Sequence, residues 1–229
     1  MLEILYKDDY LVAINKPHGL LVHQSSIARD AEVFALQLLR NQLHKSVYPV
    51  HRLDRKTAGV LLFAFDKNTE KVMQQKFMDK SVEKKYLAMV RGFAPKEMTI
   101  NYALTNDSNR VQDAVTYFKT LQNFEIDVPL GKHNTSRYSL VEATPETGRM
   151  HQLRKHFAHI LHPIIGDRPH GCNKQNRLWL EQFQMNTMML HASQLSFAHP
   201  YREETVEIRA NVSAEFQRVL DILVQKRVS

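Results

Sequence analysis

The sequence predicts an α+β fold with a mainly antiparallel or mixed sheet. Two observations lead there: strand-like runs outnumber helical ones, and neighbouring runs are joined as hairpins rather than by long crossovers. At 229 residues the chain is long enough to bury a core, and 43% hydrophobic with 24% charged residues is an ordinary globular composition.

The elements follow in order. ILYKDDYLVAINKP carries two apolar runs hinged on Lys7-Asp8-Asp9, the pattern of a β-hairpin. Residues 32–43 place Val33, Leu36, Leu39 and Leu43 at helical spacing. Val60–Phe65 is an apolar strand, and Asn68-Thr69 is positioned to cap a helix running to about Lys80. Lys85 to Val90 alternates as a strand closed by Gly92. Residues 94–135 are the least legible part, with short strands such as VTYFKTL joined by polar loops. RYSLVEATPE is a further strand, ending at Pro145 and the turn Thr147-Gly148. MHQLRKHFAHIL is a helix with Leu153, Phe157, Ile160 and Leu161 on one face. ASQLSFAHP and ETVEIRA are late strands, and AEFQRVLDILVQK is a final amphipathic helix.

Composition narrows the function classes. The longest apolar run, Ala58–Phe65, falls far below the ~18 residues that read as a membrane span. Acids at Glu3, Asp8 and Asp9 sit where a signal peptide would be basic, then apolar. A single cysteine, Cys172, excludes an intrachain disulfide and fits a reducing compartment, so a cytoplasmic location is expected. The net charge of +7 favours an anionic partner. Six basic residues (Arg149, Arg154, Lys155, Arg168, Lys174, Arg177) against one acid, Asp167, give residues 149–177 a formal +5, with five of the twelve histidines in the same stretch. Such clustering is expected of a surface that tracks phosphates.

Asp54 is the most suggestive single residue. In HRLDRKTAG it lies among His51, Arg52, Arg55 and Lys56 at the mouth of an apolar strand. Burial there raises a carboxylate pKa and a nearby guanidinium lowers it. Adjacent residues of an extended segment point away from each other, so a partner from elsewhere is more plausible than Arg52 or Arg55, and the helix at 150–161 offers Arg154. An aspartate that merely caps a turn fits the local sequence as well. His156, His159 and His162 recur at three-residue spacing but match neither C-x-x-C nor H-E-x-x-H, so no metal is expected. No G-x-S-x-G elbow and no glycine-rich phosphate loop occurs, which argues against a serine hydrolase and a nucleotide cofactor.

Three separated segments, NKPHGLLVH (15–23), HRLDRKTAGVLLFA (51–64) and TGRMHQLRKH (147–156), resemble the three motifs of the RluA-type pseudouridine synthases. KKYLAMVRG (84–92) and MLHASQLSFAHP (189–200) resemble that family's connecting motifs, in the same order. The resemblance implies a mixed, largely antiparallel central sheet with flanking helices and a catalytic cleft. It implies one catalytic domain over residues 1–229, with no N-terminal accessory RNA-binding domain and with the chain acting as a monomer. The implied reaction isomerises a uridine within RNA to pseudouridine. Nothing is oxidised and no group is donated, so no cofactor is expected.

Carried over by resemblance, Asp54 is the catalytic aspartate, Arg154 the basic residue that pairs with it, and Tyr86 the tyrosine that lies against the target base. Arg52 matches an arginine that fills the stack when the uridine is extruded. His51, Arg149, Lys155 and His156 are expected to contact RNA. Two departures stand out: Thr57-Ala58-Gly59 replaces T-S-G, and GDRPHG places His170 where the family usually has tyrosine. That variant resembles the members acting on uridine 65 of certain tRNAs, which makes tRNA the expected partner, with no membrane association. A ribosomal-RNA substrate and a non-catalytic RNA-folding protein are the alternatives.

Overall fold

The computed structural model describes residues 1–23 and 33–228. In chain order it contains strands β1 (Glu3–Lys7) and β2 (Leu11–Lys16), helix α1 (Ala35–Leu43), strands β3 (Tyr48–Pro49) and β4 (Ala58–Ala64), and helix α2 (Lys67–Met78). Strands β5 (Val82–Arg91), β6 (Glu97–Asn101), β7 (Leu104–Thr105), β8 (Val111–Gln112), β9 (Val115–Ile126) and β10 (Ser136–Pro145) follow. Helices α3 (Gln152–His159) and α4 (Asn173–Phe183), strands β11 (Leu190–Ala198) and β12 (Thr205–Arg209), and helix α5 (Ala214–Gln225) complete the order. The fold is the expected α+β class, and every strand pair with a described register is antiparallel. The chain divides into two compact units, Met1–Lys84 with Ala192–Val212, and Lys85–His191 with Ser213–Ser229.

In the first unit the strands run β1-β2-β4-β11, with β12 on β11 and β3 on β4. The β1–β2 hairpin turns where predicted, because the Asp8 carboxylate accepts the backbone N–H groups of Tyr10 and Leu11, each at 2.7 Å. All seven residues of β4 are buried, which explains a continuous apolar run in place of an alternating one. Gly59 opens that strand at φ +111°, and any side chain there would strike the Ala192 carbonyl. Helix α2 is capped by Asp66, whose carboxylate accepts from the N–H groups of Asn68 and Thr69. The predicted cap at Asn68-Thr69 was two residues late; Thr69 instead donates its hydroxyl to Asp66 at 2.6 Å. The helix expected over residues 32–43 is seen as Ala35–Leu43, its first predicted residue lying outside the described ones.

In the second unit β5 from Lys85 onward, β10, β9 and β6 lie side by side, and β7 and β8 form a separate small hairpin. The β9–β10 register shifts between Leu140 and Val141, leaving Leu121 as an extra residue on β9. Phe118, Val141, Ala143, Leu153, Phe157 and Ile164 share one core cluster, with Tyr86 packed against it. Helix α3 therefore lays Leu153 and Phe157 onto the sheet with Ile160 packed against the same cluster, whereas Leu161, expected on that face, is exposed because the helix ends at His159. Helix α4, which the periodicity did not predict, buries Trp179 edge-on to Tyr138 at 5.4 Å and beside Phe183 at 4.7 Å. Helix α5 is capped by the Ser213 hydroxyl at 3.1 Å from Phe216 N and buries Phe216, Val219 and Leu223.

Candidate active site

Asp54 sits in the loop between β3 and β4, half-buried, and its carbonyl accepts the Thr57 N–H at 3.0 Å to close a tight turn. That turn is tied to residues 16–20. The Gly19 N–H donates to the Arg55 carbonyl at 2.9 Å, and the Arg55 side chain returns a bond to the Gly19 carbonyl at 3.1 Å. Beneath them Lys16 is fully buried, its ammonium donating to the carbonyls of Pro17, Leu20 and Arg55 at 3.0, 2.8 and 3.2 Å. Burial pushes the Lys16 pKa down to about 7, while attraction to Asp54 acts in the opposite direction. The buried Lys16 side chain thus ties two backbone segments, residues 17–20 and Arg55, around the turn that carries Asp54.

Arg52 is exposed beside this turn. His51 is not placed as expected. Its ring stacks on Phe77 at 4.8 Å, and its Nε2 accepts the Leu62 N–H at 3.1 Å. Burial, with Lys84 nearby, drives its pKa down to about 4. A neutral imidazole packed this way supports β4 and offers no charge to a phosphate.

The second unit carries the other candidates. Arg154, on α3, is buried and grips Asp167 with two parallel bonds, Nε to Oδ2 at 2.8 Å and Nη2 to Oδ1 at 2.9 Å. Asp167 is itself buried, and its backbone carbonyl accepts from Asn176 Nδ2 at 2.7 Å. The loop turns tightly enough here that a side chain on Gly171 would meet the Asp167 carbonyl. Tyr86 lies on β5 opposite Ala143 of β10, half-buried against the cluster that holds Leu153 and Phe157 of α3.

The expected RNA contacts on α3 divide. Lys155 is half-buried and donates to the Thr105 carbonyl at 3.2 Å, and Arg149 Nε donates to the Asp113 carbonyl at 3.0 Å. His156 is fully buried, with Nδ1 3.0 Å from Thr116 Oγ1 and Nε2 2.9 Å from the Tyr102 carbonyl. Burial lowers its pKa, so it pins α3 to the sheet and is not an RNA-facing cation. The three-residue histidine spacing dissolves into separate tasks: His159 stacks on Tyr102 at 3.6 Å, and His162 bonds the Arg91 carbonyl at 2.8 Å. Lys174 and Arg177, on α4, line a cleft of about 490 Å³ with Pro129, Leu130 and Glu181.

The family model described as RNA pseudouridylate synthase matches residues 10–159 of this chain. The chain belongs to that family. It is 42% identical to tRNA pseudouridine synthase C of Vibrio vulnificus (strain CMCP6), over 96% of this chain and 95% of that protein. The corresponding protein of Salmonella typhi is 42% identical over 96% of this chain and 89% of its own length. Among solved structures, human RNA Pseudouridylate Synthase Domain Containing 4 superimposes with a TM-score of 0.76 at 27% identity, covering 97% of this chain and 93% of that one. Human RNA Pseudouridylate Synthase Domain Containing 1 shares the fold with a TM-score of 0.74 at 21% identity. The enzyme class is that of an isomerase, as expected from the motifs.

Within this pseudouridine synthase two residues of the candidate site escaped the sequence reading. Lys16 belongs to the NKPHGLLVH motif, which by itself assigns it no task. The signal was its phase: it falls on the same face of β2 as Val12 and Ile14, an apolar face where a lysine must find acceptors. Asp167 stands out in the sequence only as the lone acid in a basic stretch. Following the buried pair Ile164-Ile165, that acid was already marked as a partner for a buried cation.

Proposed function

We propose that this pseudouridine synthase acts on tRNA, converting the uridine at position 65 to pseudouridine, with Asp54 as nucleophile. One observation carries the reading. A half-exposed carboxylate is presented on a turn that a fully buried lysine holds in place, in a chain that shares 42% identity with curated tRNA-modifying relatives over 96% of its length. A carboxylate set on a rigid support is what attack at a fixed carbon requires.

In the reaction the Asp54 carboxylate bonds to C1′ as the C1′–N1 bond breaks, the uracil turns, and C5 forms the new bond to C1′ as the Asp54–C1′ bond breaks. C5 then loses its proton and N1 gains one, so the product is an isomer of the substrate. Tyr86, with its ring against the α3–β5 core, is the group we assign to lie against the base and take the C5 proton. Arg154 is assigned to hold the Asp54 carboxylate charged, in addition to its own partner Asp167. Exposed Arg52 is assigned to occupy the helix when the uridine is flipped out, since a stacked base cannot rotate about its ribose. We assign the chain to one catalytic domain and, with a single cysteine in the sequence, to the cytoplasm. The half-buried Lys155 and Arg149 retain the task of contacting phosphate.

The test is pseudouridine mapping on unmodified total RNA incubated with the wild-type protein and with Asp54→Asn. A new site at tRNA position 65 in the wild-type sample, absent with Asp54→Asn, is the expected result. Modification confined to ribosomal RNA would refute the tRNA assignment, and turnover retained by Asp54→Asn would refute the role of Asp54.

A further inference from the structure

We propose that His170 is a positioning residue for Arg154, acting through the first residue before α3. The inference rests on the reading above, in which the Arg154 guanidinium serves the reacting carboxylate. His170 reaches both ends of the structure that holds this guanidinium. Its backbone N–H lies 3.3 Å from Asp167 Oδ1, the oxygen that also accepts from Arg154 Nη2. Its ring Nε2 lies 3.0 Å from His151 Nδ1, one shared hydrogen bond between rings crossed at 70°.

His151 is the N-cap of α3 and adopts φ 55°, ψ 27° with no side-chain bond back into the helix. A non-glycine residue in this left-handed region is disfavoured and persists only when its surroundings hold it. The bond from His170 supplies such a hold. His151 in turn accepts the Lys155 N–H at 2.9 Å, the bond that opens the helix on which Arg154 rides. The His170 ring therefore fixes where α3 begins, and the His170 backbone fixes the carboxylate that Arg154 grips.

The far side of the same loop is tied independently. Asn176 of α4 accepts the Gly166 N–H at 2.8 Å while donating to the Asp167 carbonyl. With Asp167 anchored from α4, the contact between His151 and His170 links the carboxylate's loop to the start of the guanidinium's helix. Loosening it lets the helix start shift while the buried ion pair keeps the fold together. A displacement of about 1 Å in a positioned group lowers turnover by as much as about 100-fold without requiring loss of substrate binding.

Two variants separate hydrogen bonding from bulk. His170→Phe keeps a ring and removes the nitrogen, and His170→Gln places an amide where Nε2 stood. With unmodified tRNA as substrate and melting temperature as the check on folding, His170→Phe is expected to lose about 10- to 100-fold in kcat with KM within about twofold. His170→Gln is expected to restore most of kcat. Unchanged kcat in His170→Phe would overturn the proposal. So would a raised KM at full kcat, because the ring would then contact RNA. Equal loss in both variants would overturn it too, by assigning chemistry to the imidazole itself. A wild-type protein that modifies no uridine would instead overturn the functional reading, so the two failures are distinguishable.

Discussion

Lowering the pH should destabilise the first unit through one histidine, and the size of the effect follows from the structure. His51 stacks on Phe77 and uses Nε2 as an acceptor for the Leu62 N–H, so protonating that nitrogen removes the bond and places a charge in a packed site close to Lys84. Its folded pKa is lowered from 6.5 to about 4. Between these values the unfolded chain binds a proton that the folded chain refuses, so stability is complete above pH 6.5 and is lost as pH falls toward 4. Going from pH 7.5 to 4.5, a shift of this size costs about 2.5 kcal/mol, and the ring's residual solvent contact trims that to about 2 kcal/mol. The assay is urea unfolding of wild type and His51→Gln across this range, with Gln chosen because its amide reaches the place of Nε2. Losing the stack on Phe77 gives His51→Gln a constant offset, while the pH-dependent gap between the two proteins narrows by about 2 kcal/mol on acidification. Parallel curves would refute the buried, neutral assignment of His51 and return it to the pool of RNA-facing cations.

Asp167→Asn should destabilise the second unit by about 3 kcal/mol, because it removes the charge of the carboxylate that the buried Arg154 guanidinium grips with two bonds. A melting temperature unchanged by this substitution would mean that Arg154 gains nothing from Asp167. Lys16→Met should cost about 3 kcal/mol by leaving three backbone carbonyls without their donor. It should also lower turnover more than RNA affinity, since the Asp54 turn loses its support. Equal urea midpoints for Lys16→Met and wild type would refute the stapling role.

What the sequence made legible was whatever obeyed a local rule. The β1–β2 hairpin, β4, α3 and α5 all showed in periodicity or turn chemistry, and the motif order located Asp54 and Arg154. Helix α4 was missed because not all of its four inward positions are apolar. Gln175 takes one of them, accepting the Tyr138 hydroxyl at 2.6 Å, and a buried glutamine leaves no mark in a hydrophobic pattern. Strand β9 was blurred for another reason. Residues 121–123 are exposed in its middle, and the extra residue Leu121 breaks the pairing there, so the period of two is visible only at its ends. His51 and His156 were misassigned because sequence gives a histidine's identity and not its burial. In both, a ring nitrogen bonded to backbone decides the role.

The same distinction changes how the positive charge should be counted. The basic stretch from Arg149 to Arg177 carries a formal +5, which as free charge would predict a steep dependence of RNA binding on salt. Arg154, however, is neutralised by Asp167 in a buried pair, and a cation so placed releases no counterion when RNA arrives. Lys155 and Arg149 are partly committed to backbone carbonyls, whereas Arg168, Lys174 and Arg177 are exposed. Lys16, outside the stretch, is sealed in entirely. The protein thus divides its basic residues between two tasks with different physics. Buried cations fix the backbone and the carboxylates near the chemistry, and are insensitive to salt because no water screens them. Exposed cations are the ones left to carry a salt dependence of RNA binding. A charge census from sequence merges the two, and so overstates the number of phosphates this surface neutralises.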